Sequence, residues 1–143
     1  MSDRIASDND AVVSHRQSVE RIGRTERPQV VLPETAAVAE GDVIRLSLSG
    51  TEYHARVETD LHGRSVVRRA AANARLARER EGTDHLQSWV EAADVTLGGS
   101  VLVDVVTDGY KYGVRRPGER VVYDATDPPD DSLASLAEDL AEE

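Results

Sequence analysis

Apolar and polar residues alternate over much of this chain, in short runs closed by turn residues. Ile44, Leu46 and Leu48 share one face of the run from Val43 to Leu48, with Gly41-Asp42 before it and Ser49-Gly50 after it. Thr51, Tyr53, Ala55 and Val57 share one face of the next run, so the two predict a β-hairpin. A second hairpin is predicted from the β-branched run Val101 to Val106, the turn Asp108-Gly109 and the run Tyr110 to Val114. Beyond Arg116-Pro117-Gly118, Arg120 to Tyr123 reads as a last strand. Upstream, Gln29 to Leu32 runs into Pro33, which has no N–H to give a sheet ladder and closes that strand. Val12, Val13, Val19 and Ile22 are spaced in a way that suits either a strand or a short helix.

The pattern changes between Val66 and Glu81. Ala70, Ala71, Ala72, Ala74, Leu76 and Ala77 are mostly helix formers interleaved with arginines, and Gly82 stops the run. Thr83 is placed to cap a second short helix, in which Leu86, Trp89, Val90 and Ala93 recur at helical spacing. Residues 1–10 are a polar, patternless lead read as disordered, residues 11–123 form the body, and residues 124–143 form an acidic tail beginning around Asp127-Pro128-Pro129-Asp130-Asp131.

The two hairpins also match each other. Gly41-Asp42-Val43-Ile44 aligns with Gly99-Ser100-Val101-Leu102, and Gly50, Tyr53 and Arg56 align with Gly109, Tyr112 and Arg115 after a slip of one residue. Neither hairpin can bury its apolar face alone, whereas two can close on each other. The expected fold is therefore all-β, or β-rich α+β: a pseudobarrel of two similar hairpins with two short inserted helices.

Leu32-Pro33 followed by Ala39-Glu40-Gly41-Asp42-Val43-Ile44 resembles the strand-Pro-turn-Gly-Asp-strand pattern of swapped-hairpin regulators and antitoxins typified by AbrB. It departs from them between Glu34 and Glu40, where those families place a helix and this chain has too few residues for one. With the second hairpin added, the order resembles the DNA-binding pseudobarrel group, which includes plant transcription-factor domains and a restriction-enzyme effector domain. The whole chain is similar to an uncharacterised haloarchaeal family with the same Gly-Asp hairpin and Asp-Pro-Pro-Asp-Asp tail. The first two resemblances imply a β-rich fold that binds nucleic acid; the haloarchaeal family implies no role.

Composition narrows the chemistry. There is no cysteine, which removes disulfides, thiolate metal sites and thiol catalysis. The polar N-terminus and the lack of a long apolar run predict neither a secretory signal nor a membrane span, and hence a cytoplasmic protein. Lys111 is the only lysine among seventeen basic residues, against twenty-seven acids, a bias expected of a protein working in concentrated salt. The net charge of −10 lies entirely in the two ends. His15, His54, His62 and His85 are scattered without metal-ligand spacing, and no serine sits in a Gly-x-Ser-x-Gly turn. Gly98-Gly99 lacks the Lys-Ser/Thr of a phosphate loop. No enzyme, metal or cofactor is expected.

The arginines carry the functional signal. Arg64, Arg68, Arg69, Arg75, Arg78 and Arg80 face one acid within their stretch, Glu79, inside a body that is neutral as a whole. On a continuous helix Arg68, Arg75 and Arg78 would share an arc of roughly 80°, wide enough to straddle a phosphate backbone, with Arg69 and Arg80 on the far side. The favoured reading is a non-enzymatic nucleic-acid-binding module, DNA rather than RNA. Arg64, Arg68, Arg69, Arg75 and Arg78 would contact phosphates, with Arg24 and Arg27 as a second arm. The competing reading is a protein-interaction or structural subunit anchored by Trp89, Tyr110 and Tyr112. A third is a barrel that binds a small ligand.

Overall fold

A computed structural model of the chain describes residues 3–125. The expected β architecture is present. Seven strands close into a barrel in the order β2-β3-β6-β5-β4-β8-β7, and a separate ribbon pairs β1 with β9. The barrel strands are β2 (Val13–Arg21), β3 (Pro28–Val31), β4 (Val43–Leu48), β5 (Thr51–Thr59), β6 (Ser65–Val67), β7 (Ser100–Thr107) and β8 (Lys111–Arg115). The ribbon strands are β1 (Asp3–Ala6) and β9 (Val122–Ala125), and the helices are α1 (Ala74–Glu79) and α2 (His85–Ala92).

Period-two alternation builds the core. Val19, Val30, Val67 and Val57 stand opposite one another on β2, β3, β6 and β5, and all four are fully buried. On the other side of the barrel Leu48, Val114 and Val103 line up across β4, β8 and β7. Leu86 and Val90 of α2 join the same cluster, so that helix packs its apolar face on the barrel core. The β4–β5 hairpin turns on Ser49 and Gly50, both at positive φ, as a two-residue turn matched to strand twist requires.

The ambiguous segment Val12–Ile22 is largely strand, and it is shared: Val13–Ser18 pairs with β7, while Val19–Arg21 pairs with β3. The stretch Val66–Glu81 is not one helix. Val66 and Val67 belong to β6, where they fill the seam between β3 and β5, so burial in the barrel overrides the helix-forming neighbours. Ala71 exchanges both backbone hydrogen bonds with His54 (2.7 and 2.9 Å), which holds the chain extended until Asn73 caps α1 by accepting from Leu76 N. Arg80, in the left-handed region, ends α1 before Gly82 is reached, and Asp84 rather than Thr83 caps α2.

The repeat holds for each hairpin but not for their pairing. β4 lies parallel to β8, yet the equivalent pair β5–β7 is not formed, because β6, β3 and β2 stand between those strands. Residues 3–6 of the expected lead form β1, paired with β9. The acidic tail from residue 126 lies outside the described residues.

Candidate nucleic-acid interface

Side chains next to the core row alternate to the other face, which places Glu58 beside Val57 on β5 and Arg68 beside Val67 just past the end of β6. The β2–β3 hairpin bounds this face. Its turn is closed by Ile22 N–H donating to Arg27 O and by Thr25 donating twice to Ile22 O, and it presents Arg27 just before Pro28 opens β3. Arg80, at the end of α1, reaches in from the other side. Ile22, Arg27, Glu58, Arg68, Arg69 and Arg80 together line an open cavity of about 300 Å³.

The four guanidinium groups are not equivalent. Arg80 forks onto Glu58 through Nε (2.9 Å) and Nη2 (2.8 Å), and this contact holds the Glu58 carboxyl below the usual carboxylate range. Arg27 Nη2 donates to Asp84 (3.4 Å), whose carboxylate also caps α2 and accepts from Ala70 N. Arg68 Nε donates to the neutral amide oxygen of Gln29 (3.0 Å), and Arg69 Nη2 to the carbonyl of Gly82 (2.6 Å). Among the described residues neither Arg68 nor Arg69 has a carboxylate partner, so the cavity holds two uncompensated positive charges.

The fold thus brings Arg68 and Arg69 together with Arg27 of the second arm. It adds Arg80, which helical geometry had set on the far side. The single arc of Arg68, Arg75 and Arg78 does not exist, because Arg68 precedes the helix. Arg75 pairs with Glu79 (2.8 Å) and Glu81 (3.5 Å). Arg78 and Arg24 are exposed and make no ion pair among the described residues. Arg64 is locked in the β5–β6 loop by Asp60 (2.7 Å) and by both oxygens of Glu20 (2.7 and 3.2 Å), which raise the pKa of its guanidinium. Arg80 and Glu58 were visible in the sequence only as charges; their convergence depends on the β5–α1 contact.

A second cavity, of about 690 Å³, opens where β2 and β3 part, with Arg64, His15, His62 and Gln17 among its lining residues. Gln17 Nε2 spans the gap to Val31 O (3.1 Å). Among the described residues no group of three histidines or acids is placed to hold a metal ion, and no helix is long and apolar enough to cross a membrane.

A family model matches residues 1–140. The chain belongs to a family of unknown function, DUF7112. No curated protein and no solved structure matches it. In this DUF7112 chain the arginine cavity is the site with an unbalanced charge to explain. The aromatic anchors of the competing reading are differently placed: Tyr112 is fully buried in the core, and Trp89 packs against the core and donates from Nε1 to Ser49 Oγ (2.9 Å). Tyr110 lies under the Arg45 guanidinium, 5.5 Å from its centre.

Proposed function

We propose that this chain is a non-enzymatic module that binds nucleic acid, DNA in preference to RNA, through phosphate contacts in a protein adapted to concentrated salt. The observation that carries the reading is the cavity in which Arg68 and Arg69 stand uncompensated beside Arg27 and Arg80. Guanidinium forks match phosphate oxygens bidentately, and this geometry persists where salt weakens counterion release. The preference for DNA rests on the resemblance of the hairpin order to DNA-binding pseudobarrels. Arg24 and Arg78 add long-range attraction, while Arg64 and Arg75 already have carboxylate partners, Arg64 in the β5–β6 loop and Arg75 within and just beyond α1. Fluorescence anisotropy with single- and double-stranded oligonucleotides, across a salt series, tests the reading. Absence of binding at low salt by a chain with intact circular dichroism overturns it.

Glu58 supplies a prediction of opposite sign. Glu58→Gln removes the one carboxylate lining the cavity and frees the Arg80 fork, so oligonucleotide affinity is expected to rise by about threefold to tenfold at low salt. An anisotropy titration of the variant decides it; weaker binding would mean that Glu58 positions Arg80 for the ligand rather than competing with it.

One observation favours the protein-interaction reading. Between Val13 and Ser18, β2 pairs with β7 alone, and Val19 turns its N–H toward Gly99 (2.9 Å). By alternation the backbone groups of Arg16 face the second cavity, and among the described residues no strand pairs with them, which leaves a short edge for an added strand. Leu61, fully exposed in the loop beside that cavity, would be its anchor. Leu61→Asp is expected to leave folding and oligonucleotide affinity unchanged. If it also releases a co-purifying protein, the chain serves as an assembly subunit through this edge.

A further inference from the structure

We infer that the arginine cavity selects a terminal phosphate monoester, the phosphorylated end of a nucleic-acid strand, over the internal diesters of the backbone. The inference rests on the phosphate-binding reading above and specifies what that site holds.

Charge is the first argument. Glu58 neutralises Arg80 and Asp84 neutralises Arg27, which leaves the two guanidinium groups of Arg68 and Arg69. A phosphate monoester carries about −1.5 to −2 at neutral pH, and an internal diester only one negative charge. The monoester balances the cavity, whereas the diester leaves one guanidinium without a counter-charge.

Donor inventory is the second. Arg68 spends only Nε on Gln29, so both of its terminal nitrogens remain available. Arg69 spends one N–H of Nη2 on Gly82 O, and the other N–H of Nη2 keeps one fork edge open, with Nε or with Nη1. Two forks of this kind supply enough donors for the three terminal oxygens of a monoester, where a diester offers two unbridged oxygens.

Shape is the third. The arginines come from three separate places: the β2–β3 hairpin, the segment after β6, and the end of α1. They meet at one concavity of about 300 Å³ rather than standing in a row along a ridge. A backbone that continues in both directions presents its phosphates in such a row. A strand that ends can place its last phosphate in a hollow at the lower limit of ligand-site size, with Ile22 as an apolar wall for the first sugar.

The test uses the full chain and three fluorescent single-stranded DNA oligonucleotides of one sequence: 5′-phosphorylated, 3′-phosphorylated and unphosphorylated. Titrations are run in molar salt, where the extra charge of a phosphorylated end contributes little non-specific attraction. One phosphorylated end is expected to bind about tenfold more tightly than the unphosphorylated strand, with inorganic phosphate competing for that excess. Arg68→Gln and Arg69→Gln, each checked by circular dichroism, are expected to erase the preference. Which end wins assigns the polarity of the bound strand. Tight but equal binding of all three strands overturns end selection and leaves the phosphate reading standing. Binding of none of them, at low salt as well, removes both.

Discussion

Arg68→Ala combined with Arg69→Ala is expected to lower oligonucleotide affinity by about two orders of magnitude at low salt. Each side chain would lose charge-assisted hydrogen bonds worth roughly 1.5–3 kcal/mol, reduced here by solvent exposure. The loss is expected for every sequence tested, since phosphate carries no base information. The slope of log affinity against log salt is expected to fall by about 1.5 for a single strand, the signature of two lost phosphate contacts. The folded state loses mainly the donor to the buried Gln29 amide oxygen, a cost of about 1–3 kcal/mol. Arg68 gives up one bond to Gln29 and Arg69 one bond to Gly82, and neither leaves a carboxylate unpaired among the described residues. Anisotropy at several salt concentrations, beside urea unfolding, separates the two effects. If affinity is unchanged while stability drops, the cavity is structural and the phosphates are held elsewhere.

The largest stability effect is expected at Asp104, far from that cavity in the chain. Asp104 is fully buried on β7, where it accepts from Ser14 Oγ, from Arg115 Nε (2.7 Å) and from the Tyr123 hydroxyl. Arg115 is itself nearly buried and gives its Nη1 to Glu119 O (2.7 Å). Burial, with the Asp104 contact adding to it, pushes the Tyr123 phenol pKa well up, so the phenol stays protonated as a donor. Gly113 makes the arrangement feasible: a Cβ there would stand 2.3 Å from the Tyr123 ring. The cluster fastens β9, and through it β1, onto the barrel. Asp104→Ala leaves the Arg115 charge buried without its partner and is expected to cost about 3–5 kcal/mol. Against a total of roughly 5–15 kcal/mol for a typical domain, that is a large fraction. Urea denaturation measures it. A loss below about 1 kcal/mol would show that water or Glu119 compensates Arg115. Oligonucleotide binding by the folded fraction is expected to be unchanged.

Local rules were sufficient for the two hairpins, because each is set by alternation and by turn residues lying within a few positions of one another. Ile44, Leu46 and Leu48, followed by Ser49-Gly50, could be placed without knowledge of the rest of the chain, and Val101 to Val114 likewise. The β-rich pseudobarrel with two short helices, and an arginine concentration in a neutral body, were legible in the same way. Other features depended on partners distant in sequence. Val66 and Val67 sit beside good helix formers and become strand only because β3 and β5 leave a seam to fill. Asp3–Ala6 has no apolar pattern and becomes strand only because β9 lies alongside it. The arginine site was half visible: Arg27, Arg68 and Arg69 could be named as basic residues, but a helical wheel set Arg69 and Arg80 on the side away from Arg68 and gave Glu58 no role. Whether a guanidinium is neutralised depends on which carboxylate the fold brings within about 3 Å, and sequence spacing carries no such information. The sequence by itself therefore determined the strands, turns and charge inventory. Only the tertiary structure decided which of those charges remain unpaired, because ion pairing is a short-range contact between residues that the closed barrel brings together.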